Sequence, residues 1–342
     1  MFKSRSLFHI AIVSGLLMAC GGGNDEQVVN VYTHRHYEAD NELYRKFTDE
    51  TGIRVNVINA NADELIQRLQ SEGPNSPADV LITVDGGRLN RAMDKGLLQA
   101  VESEVLNANV PAEFREPGGH WYGMTYRARI IVHATDRVKP GEIKNYEDLA
   151  DPKWKGKVLV RSSEHVYNQS LTASMLLADG EEKTAAWAKG LVANFARDPK
   201  GNDRDQVKAI AAGEGDIAIV NSYYIGLMLH SENVEEKKAA ESITLVFPNQ
   251  DNRGTHVNIS AAGVTKYAPN RENAVKFLEF LSGATAQEVF AGTNFEYPVN
   301  PTVPLSETLV SWGTFKKDNA NVSEIGRLND QAVIIMEDAG WK

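Results

Sequence analysis

The fold is decided by residues 28–58, which read VVNVYTHRHYEADNELYRKFTDETGIRVNVI. Apolar residues alternate with polar ones at 28–33 and again at 53–58, a pattern that is typical of half-buried strands. Between these segments, Leu43, Tyr44 and Phe47 have the spacing of one helix face within residues 40–51. A strand, a helix and a second strand in succession form a β-α-β unit, which predicts a parallel sheet covered by helices.

The same alternation continues along the chain. The pattern predicts a helix over 63–72 that is capped by Asn61, a strand over 79–84 and a helix over 89–98. Repeated units of this kind predict an α/β protein with a mostly parallel sheet. Ligands of such sheets bind beyond the carboxyl ends of the strands.

A β-branched run at 126–133 predicts a strand that crosses from one lobe to another and places a hinge there. Further strands are predicted at 157–161, 216–220, 242–247 and 257–264, and further helices at 167–177, 183–195, 204–212, 271–281, 286–291 and 323–336. The chain therefore predicts two α/β lobes with a cleft between them. The predicted division is 27–126 for the first part of lobe 1, 127–256 for lobe 2, 257–300 for the return to lobe 1, and 301–342 for a C-terminal helical segment packing mainly on lobe 2.

Composition and charge exclude several classes of protein. The chain has 342 residues and is therefore too long for one small domain. Its composition, 42% hydrophobic and 24% charged residues, is that of an ordinary globular protein. Lys and Arg number 36 against 46 Asp and Glu, a formal charge of −10, and no stretch concentrates the basic residues. This balance argues against nucleic acid as a partner.

Common catalytic motifs are absent from the sequence. There is no Gly-x-Ser-x-Gly elbow, no phosphate-binding Gly-x4-Gly-Lys-Ser/Thr loop and no His-Glu-x-x-His zinc motif. These absences weaken the interpretation of the chain as a hydrolase, an NTPase, a thiolate-metal protein or a dehydrogenase, and we expect a protein that is not an enzyme. An exported Ser/His/Asp hydrolase stays open as an alternative, because such triads are set by geometry and not by spacing.

The N-terminal residues have the order of a signal peptide. Lys3 and Arg5 precede an apolar run at 7–17, and the run ends at Leu17-Met18-Ala19-Cys20. This quartet resembles the lipobox of bacterial lipoproteins, whose cysteine thiol is acylated and becomes the new N-terminus. We therefore predict a lipoprotein signal peptide at 1–19, lipidation of Cys20 and a flexible tether at 20–26, with a soluble secreted protein cut nearby as the alternative.

Tyrosines cluster after predicted strands. Tyr37 follows the first strand, Tyr167 follows the strand at 157–161, and Tyr223 and Tyr224 follow the strand at 216–220. All of these positions map to the ligand side of an α/β sheet. Any one of them has a simple explanation in core packing, but their joint placement favours a common function.

Several phenols together suit a hard, highly charged cation. A free phenol titrates near ~10, so only a strong Lewis acid displaces its proton at neutral pH. Fe3+ meets this requirement, whereas Ca2+ and Mg2+ prefer carboxylate and carbonyl oxygens. His36 is the best-placed imidazole to complete the ligand set, and His34 is the second candidate. Arg35, Arg127 and Arg129 are candidates to balance the phenolate charge.

These residues resemble the bacterial ferric-iron-binding periplasmic proteins, the substrate-binding components of iron(III) ABC importers. The resemblance covers essentially the whole exported chain. It rests on Val31-Tyr32-Thr33-His34-Arg35-His36-Tyr37, Trp121-Tyr122-Gly123-Met124-Thr125-Tyr126-Arg127-Ala128-Arg129, Arg161-Ser162-Ser163, Tyr167-Asn168-Gln169-Ser170, Gly215-Asp216-Ile217-Ala218, Asn221-Ser222-Tyr223-Tyr224-Ile225-Gly226, Tyr297-Pro298-Val299 and Ala339-Gly340-Trp341-Lys342. The tyrosine pair and the His-Tyr pair are its specific parts.

The resemblance implies a two-lobed type II periplasmic binding fold whose lobes close around Fe3+. It implies Tyr223 and Tyr224 as ligands from the second lobe, Tyr167 as the further ligand of the tyrosine-rich branch, and His36 with Tyr37 as the first-lobe pair. Carbonate or another synergistic anion would fill remaining sites near Arg127, with Arg35 in a supporting position.

The resemblance also implies the partners and the location. The implied partners are an inner-membrane ABC permease and its ATPase, and we expect a monomer. Many members of the family are soluble in the periplasm, whereas Cys20 predicts an anchor in the lipid bilayer of the cell envelope. The alternative within the fold is a binding protein for a polyamine, thiamine or an anionic solute, which would replace the phenol cluster by carboxylates and stacking rings.

Overall fold

The structure is a computed structural model that describes residues 27–342. The predicted signal peptide, the lipidation of Cys20 and the tether at 20–26 lie outside the described residues. Within the described chain, no helix is both long and apolar enough to cross a membrane.

Strands and helices alternate along most of the described chain. The strands are β1 (Val28–Thr33), β2 (Arg54–Asn59), β3 (Val80–Thr83), β4 (Tyr122–Ala134), β5 (Val158–Leu159), β6 (Ile217–Asn221), β7 (Ile243–Val246), β8 (Val257–Val264) and β9 (Tyr297–Pro298). The helices are α1 (Glu38–Thr51), α2 (Ala62–Glu72), α3 (Gly86–Asp94), α4 (Glu104–Asn109), α5 (Val166–Asp179), α6 (Glu181–Ala193), α7 (Asp203–Ala211), α8 (Ser222–Leu229), α9 (Val234–Glu241), α10 (Arg271–Ser282), α11 (Ala284–Thr293), α12 (Glu307–Ser311), α13 (Val322–Arg327) and α14 (Asn329–Asp338).

Strand β4 belongs to both halves of the molecule. The strand order is β2-β1-β3-β8-β4-β6-β5, with β7 and β9 also paired to β4. The N-terminal half of β4 pairs with β8 and β9, and its C-terminal half pairs with β6 and β7. Lobe 1 consists of β1–β3, β8, β9 and the N-terminal half of β4, with helices α1–α4, α10 and α11. Lobe 2 consists of β5–β7 and the C-terminal half of β4, with helices α5–α9.

Each lobe has its own apolar core. The core of lobe 1 combines buried residues from Val29 to Met124 with others from Ile259 to Val299. The two cores of lobe 2 consist of buried residues between Ala128 and Val257, together with Ile335, Met336 and Trp341 near the C-terminus. Helix α14 packs on α5 and α6, while α13 packs on α3 and α5 and so contacts both lobes.

Local signals explain most of the element boundaries. Asn61 caps α2 by accepting hydrogen bonds from the backbone N–H groups of Asp63 and Glu64, as predicted from the sequence. Gly52 ends α1 in the left-handed conformation, with φ of +72°, which a residue with a Cβ rarely adopts. The predicted crossing strand lies within β4, which is longer than the predicted 126–133.

Two predictions about the elements are wrong. The sheet is not mostly parallel: β1–β2, β1–β3 and β5–β6 are parallel, but β8 runs antiparallel to β3 and β4, and β4 is antiparallel to all its partners. The predicted helix at 323–336 is two helices, α13 and α14. They are separated at Leu328, where the chain turns so that α14 can pack on lobe 2.

Trp341 is a buried member of the core of lobe 2. Its side chain is only 2% exposed, its indole N–H donates to the carbonyl of Arg161 at 2.9 Å, and its ring packs against Trp187 and Phe195. We expect Trp341→Ala to lower the free energy of unfolding by about 3–5 kcal/mol in urea denaturation, because it leaves a cavity. The exposed Val310, changed to Ala, is the control, and equal stability of the two variants would contradict the prediction.

Candidate functional site

Three phenol groups meet between the lobes. The hydroxyl of Tyr223 lies 2.9 Å from the hydroxyl of Tyr37 and 3.1 Å from that of Tyr167. The ring of Tyr224 lies 4.2 Å from that of Tyr223, centroid to centroid. Tyr37 comes from lobe 1 and the others from lobe 2, so the cleft is closed at this point.

Each of these tyrosines lies where a helix begins. Tyr37 is the N-cap residue of α1, Tyr167 is in the first turn of α5, and Tyr223 and Tyr224 are in the first turn of α8. As the sequence suggested, Tyr223 and Tyr224 follow a strand: β6 ends at Asn221, and α8 starts at the next residue. Helix N-termini favour negative charge, which suits phenolates.

Burial keeps the phenols of Tyr37, Tyr223 and Tyr224 protonated in the absence of a cation. Burial raises the pKa of Tyr37 and of Tyr223 well above the ordinary value, and charge on the neighbouring phenols raises both further. Burial also raises the pKa of Tyr224. Loss of their protons at neutral pH therefore requires a strong Lewis acid within bonding distance.

The cleft contains a cavity of about 650 Å³ beside the phenols. Lobe 1 contributes His34, His36 and Tyr37 to its lining, and lobe 2 contributes Tyr167 and Tyr224. The ring of His36 stacks on that of Tyr37 at 5.0 Å and is exposed, while burial lowers the pKa of the half-buried His34. Both predicted imidazoles therefore face the cavity.

Three guanidinium groups surround the ring of Tyr167. Arg127, Arg129 and Arg161 have their Cζ atoms 5.5, 5.7 and 5.4 Å from the ring centroid. Asp203 is the carboxylate that pairs with two of them, Arg129 at 2.8 Å and Arg161 at 3.3 Å. This side of the site therefore has excess positive charge, which favours anionic ligands at the phenol positions.

Arg127 and Arg35 occupy different surroundings. Arg127 donates to the carbonyl of Val84, and its other terminal nitrogen is buried with no hydrogen-bond partner among the described residues. Arg35 pairs with Asp40 at 2.8 Å and with Glu296 at 3.0 Å and packs against the ring of Tyr37. Arg35 thus supports Tyr37 from behind, within lobe 1.

Sequence reasoning missed three residues of the site. Asp203 and the side-chain role of Arg161 were not predicted, although Arg161 stands in a quoted motif. His165 was also missed. It caps α5 through a hydrogen bond from the N–H of Tyr167, and its ring lies 4.3 Å from that of Tyr167. The helix predicted at 167–177 starts one residue after the observed α5, so His165 did not fall at its predicted N-cap position.

The fold and the site define a two-lobed ligand-binding protein with a phenol-rich cleft. Residues 75–318 match the family model described as bacterial extracellular solute-binding protein, and the chain belongs to this family.

Relatives and solved structures match nearly the whole chain. Iron uptake protein A1 of Synechocystis sp. is 52% identical over 344 residues, covering 98% of this chain and 96% of the relative. A Trichodesmium structure titled as a complex with iron and citrate ligands has 50% identity and a TM-score of 0.87, covering 92% of this chain and 100% of that one. The ferric iron-binding protein A of Mannheimia haemolytica in an open conformation has 44% identity and a TM-score of 0.84, covering 92% and 99%. The predicted two-lobed type II periplasmic binding fold is thereby confirmed.

The surroundings of His165 lead to a prediction about pH. Burial, with the nearby Arg161 charge, lowers the pKa of His165 to about 3, whereas an unfolded histidine titrates near ~6.5. Between these values only the unfolded chain takes up the proton, so the free energy of unfolding falls as pH falls. Asparagine can still cap the helix but takes up no proton in this range. Between pH 7 and pH 5 we therefore expect the free energy of unfolding of His165→Asn to fall by roughly 1–2 kcal/mol less than that of the parent.

Urea denaturation of both proteins at the two pH values measures this difference. The exposed His230, changed to Asn, is the matched control and should behave like the parent. If the His165 variant loses as much stability as the parent, His165 is not kept neutral by the fold.

Proposed function

We propose that this protein captures Fe3+ in the interlobe cleft and delivers it to an ABC-type importer. The observation that carries the proposal is the phenol cluster: the hydroxyls of Tyr37 from lobe 1 and Tyr167 from lobe 2 each lie within 3.1 Å of the Tyr223 hydroxyl. Relatives named for iron uptake and ferric iron binding support the choice of metal.

The proposed ligands are the predicted set: His36, Tyr37, Tyr167, Tyr223 and Tyr224. Each phenol loses its proton as it binds the metal, and three phenolates balance the three charges of Fe3+. A fourth phenolate leaves one negative charge, which the guanidinium groups around Tyr167 stabilise. Carbonate or another small anion completes the coordination in this proposal, with Arg127 as its contact.

Ligands from both lobes explain why the metal favours the closed form. A metal that binds residues of one lobe alone has equal affinity for open and closed lobes and shifts nothing. The protein performs no covalent chemistry in this proposal. Its partners are an inner-membrane permease and the ATPase that drives it, and it acts as a monomer in the periplasm.

The predicted division of the chain is part of the proposal. We place the changes between lobes after residues 126, 256 and 300, and give 301–342 to a separate C-terminal segment. The change of partners along β4, between Ala128 and Arg129, supports the first boundary. The distribution of the buried clusters supports the others.

Iron binding is tested by the visible spectrum of the domain that begins after Cys20. Titration with a soluble ferric chelate is expected to produce a phenolate-to-iron charge-transfer band that saturates at one metal per chain. Tyr223→Phe keeps the ring and removes the ligand oxygen, so we expect the affinity to fall by at least about tenfold.

Tyr297→Phe is the matched control. Tyr297 is equally buried, and its hydroxyl has no hydrogen-bond partner among the described residues. This variant should bind iron like the parent. A folded parent without the band would overturn the ferric site and favour the polyamine, thiamine or anionic-solute alternative, which a solute screen then tests.

Lipid anchoring at Cys20 is a separate part of the proposal, supported by the lipobox-like Leu17-Met18-Ala19-Cys20. We expect the full chain to partition into the detergent phase after export and Cys20→Ser to partition into the aqueous phase, because acyl chains drive membrane association. Equal partition of the two proteins would contradict the anchor.

A further inference from the structure

Phe295 has a backbone conformation that its side chain disfavours. It follows α11, and its φ of +53° lies in the left-handed region, where bulky residues are genuine outliers. Its ring is buried and belongs to the apolar cluster that contains Tyr223 and Leu309. The fold therefore holds Phe295 in a conformation that a glycine would adopt without strain.

Gly226 faces Phe295 and is also unfavourable for its own backbone, because it is a glycine inside a helix. It lies inside α8, four residues after Ser222, in a helix position where alanine is more favourable. A Cβ added to Gly226 would lie 2.4 Å from Cγ of Phe295 and 2.5 Å from its Cβ. Phe295 is thus a bulky residue at a position that suits glycine, and Gly226 is a glycine at a position that suits alanine. The two residues contact each other, and such departures from local preference indicate a functional role.

This contact joins the two lobes next to the phenol cluster. Helix α8 of lobe 2 carries Tyr223 and Tyr224 in its first turn. The ring of Phe295 also stacks on His230, the C-cap residue of α8, at 4.8 Å. On the lobe 1 side, the adjacent Glu296 pairs with Arg35.

On the lobe 1 side, the segment that carries Phe295 is connected to Tyr37 through Arg35. Arg35, held by Glu296 and Asp40, packs against the Tyr37 ring. The segment 294–296 therefore touches the supports of the phenols from both lobes, and Asn294 itself lines the cavity.

We propose that Phe295 is a positioning residue whose ring docks on Gly226 when the lobes close, fixing α8 against lobe 1 so that Tyr223 reaches Tyr37. The inference rests on the proposed capture of Fe3+, and names a residue that acts through the ligands without binding the metal. The strained backbone holds the ring at the lobe boundary, and the missing Cβ on α8 allows the close approach.

The test is Gly226→Ala. Alanine is the better helix former, so the ligand-free variant should unfold at the same temperature as the parent or above it. In the closed form the new methyl group overlaps the Phe295 ring. We expect iron to leave the loaded variant at least about tenfold faster, measured as decay of the charge-transfer band in excess competing chelator.

Gly292→Ala is the matched control, because Gly292 is also a helix glycine but has open space around its Cβ position. It should release iron at the parental rate. The band at saturation should be the same in all three proteins, since every ligand is present.

A double-mutant cycle separates docking from a general loss of packing. Phe295→Gly removes the ring and the strain together, and is itself expected to release iron faster than the parent. Adding Gly226→Ala to it should cause little further change, because the methyl group then meets no ring. Additive effects of the two substitutions would overturn the proposal.

The remaining outcomes are also decisive. Parental release from Gly226→Ala overturns the docking role while leaving the ferric site intact. A lower unfolding temperature of ligand-free Gly226→Ala shows that the contact is present in both forms and overturns its link to closure. A parent without the band overturns the ferric site, and with it the role of Phe295 in retaining iron.

Discussion

The register of β4 determines where the residues of the cleft lie. Arg129 faces Asn221 across the ladder, which places the start of α8, and with it Tyr223, at the lobe boundary. Tyr126 faces Tyr297, which places the segment before β9 on the opposite side of the same boundary. A slip of one residue would turn every side chain of the strand to its other face. The hydrogen bonds of one strand thus position both halves of the site.

The cleft combines two kinds of ionisable side chain, the phenols of the tyrosines and the guanidinium groups of the arginines. The phenols of Tyr37 and Tyr223 are uncharged without a cation, because burial raises the pKa of both well above the ordinary value. The arginines behind them are charged at all times, and they are only partly balanced by Asp203. A trivalent cation that releases phenol protons converts this excess of positive charge into support for an anionic complex. Burial and excess charge together disfavour a weak Lewis acid.

The sequence predicted the parts of the molecule that depend on local patterns. The strand-helix order, the Asn61 cap and the tyrosines at strand ends all follow from spacing within one unit. The antiparallel course of β8 was missed because it depends on a chain return from the other lobe. Asp203 was missed because its partners Arg129 and Arg161 lie far along the chain. Phe295 was missed because its role depends on a backbone angle, and His165 because the predicted helix begins one residue after α5. The break at Leu328 reflects packing of α14 on lobe 2, which overrides the continuous helical pattern.

The distribution of the two cores has a consequence for folding during synthesis. The core of lobe 1 uses residues as late as Val299, and the core of lobe 2 includes Trp341. A chain that emerges from the ribosome N-terminus first can therefore complete neither core until nearly all of it has been made. Over most of translation, the apolar segments of both lobes lack their partners. The late arrival of Trp341 delays the final packing of lobe 2 until synthesis is almost finished.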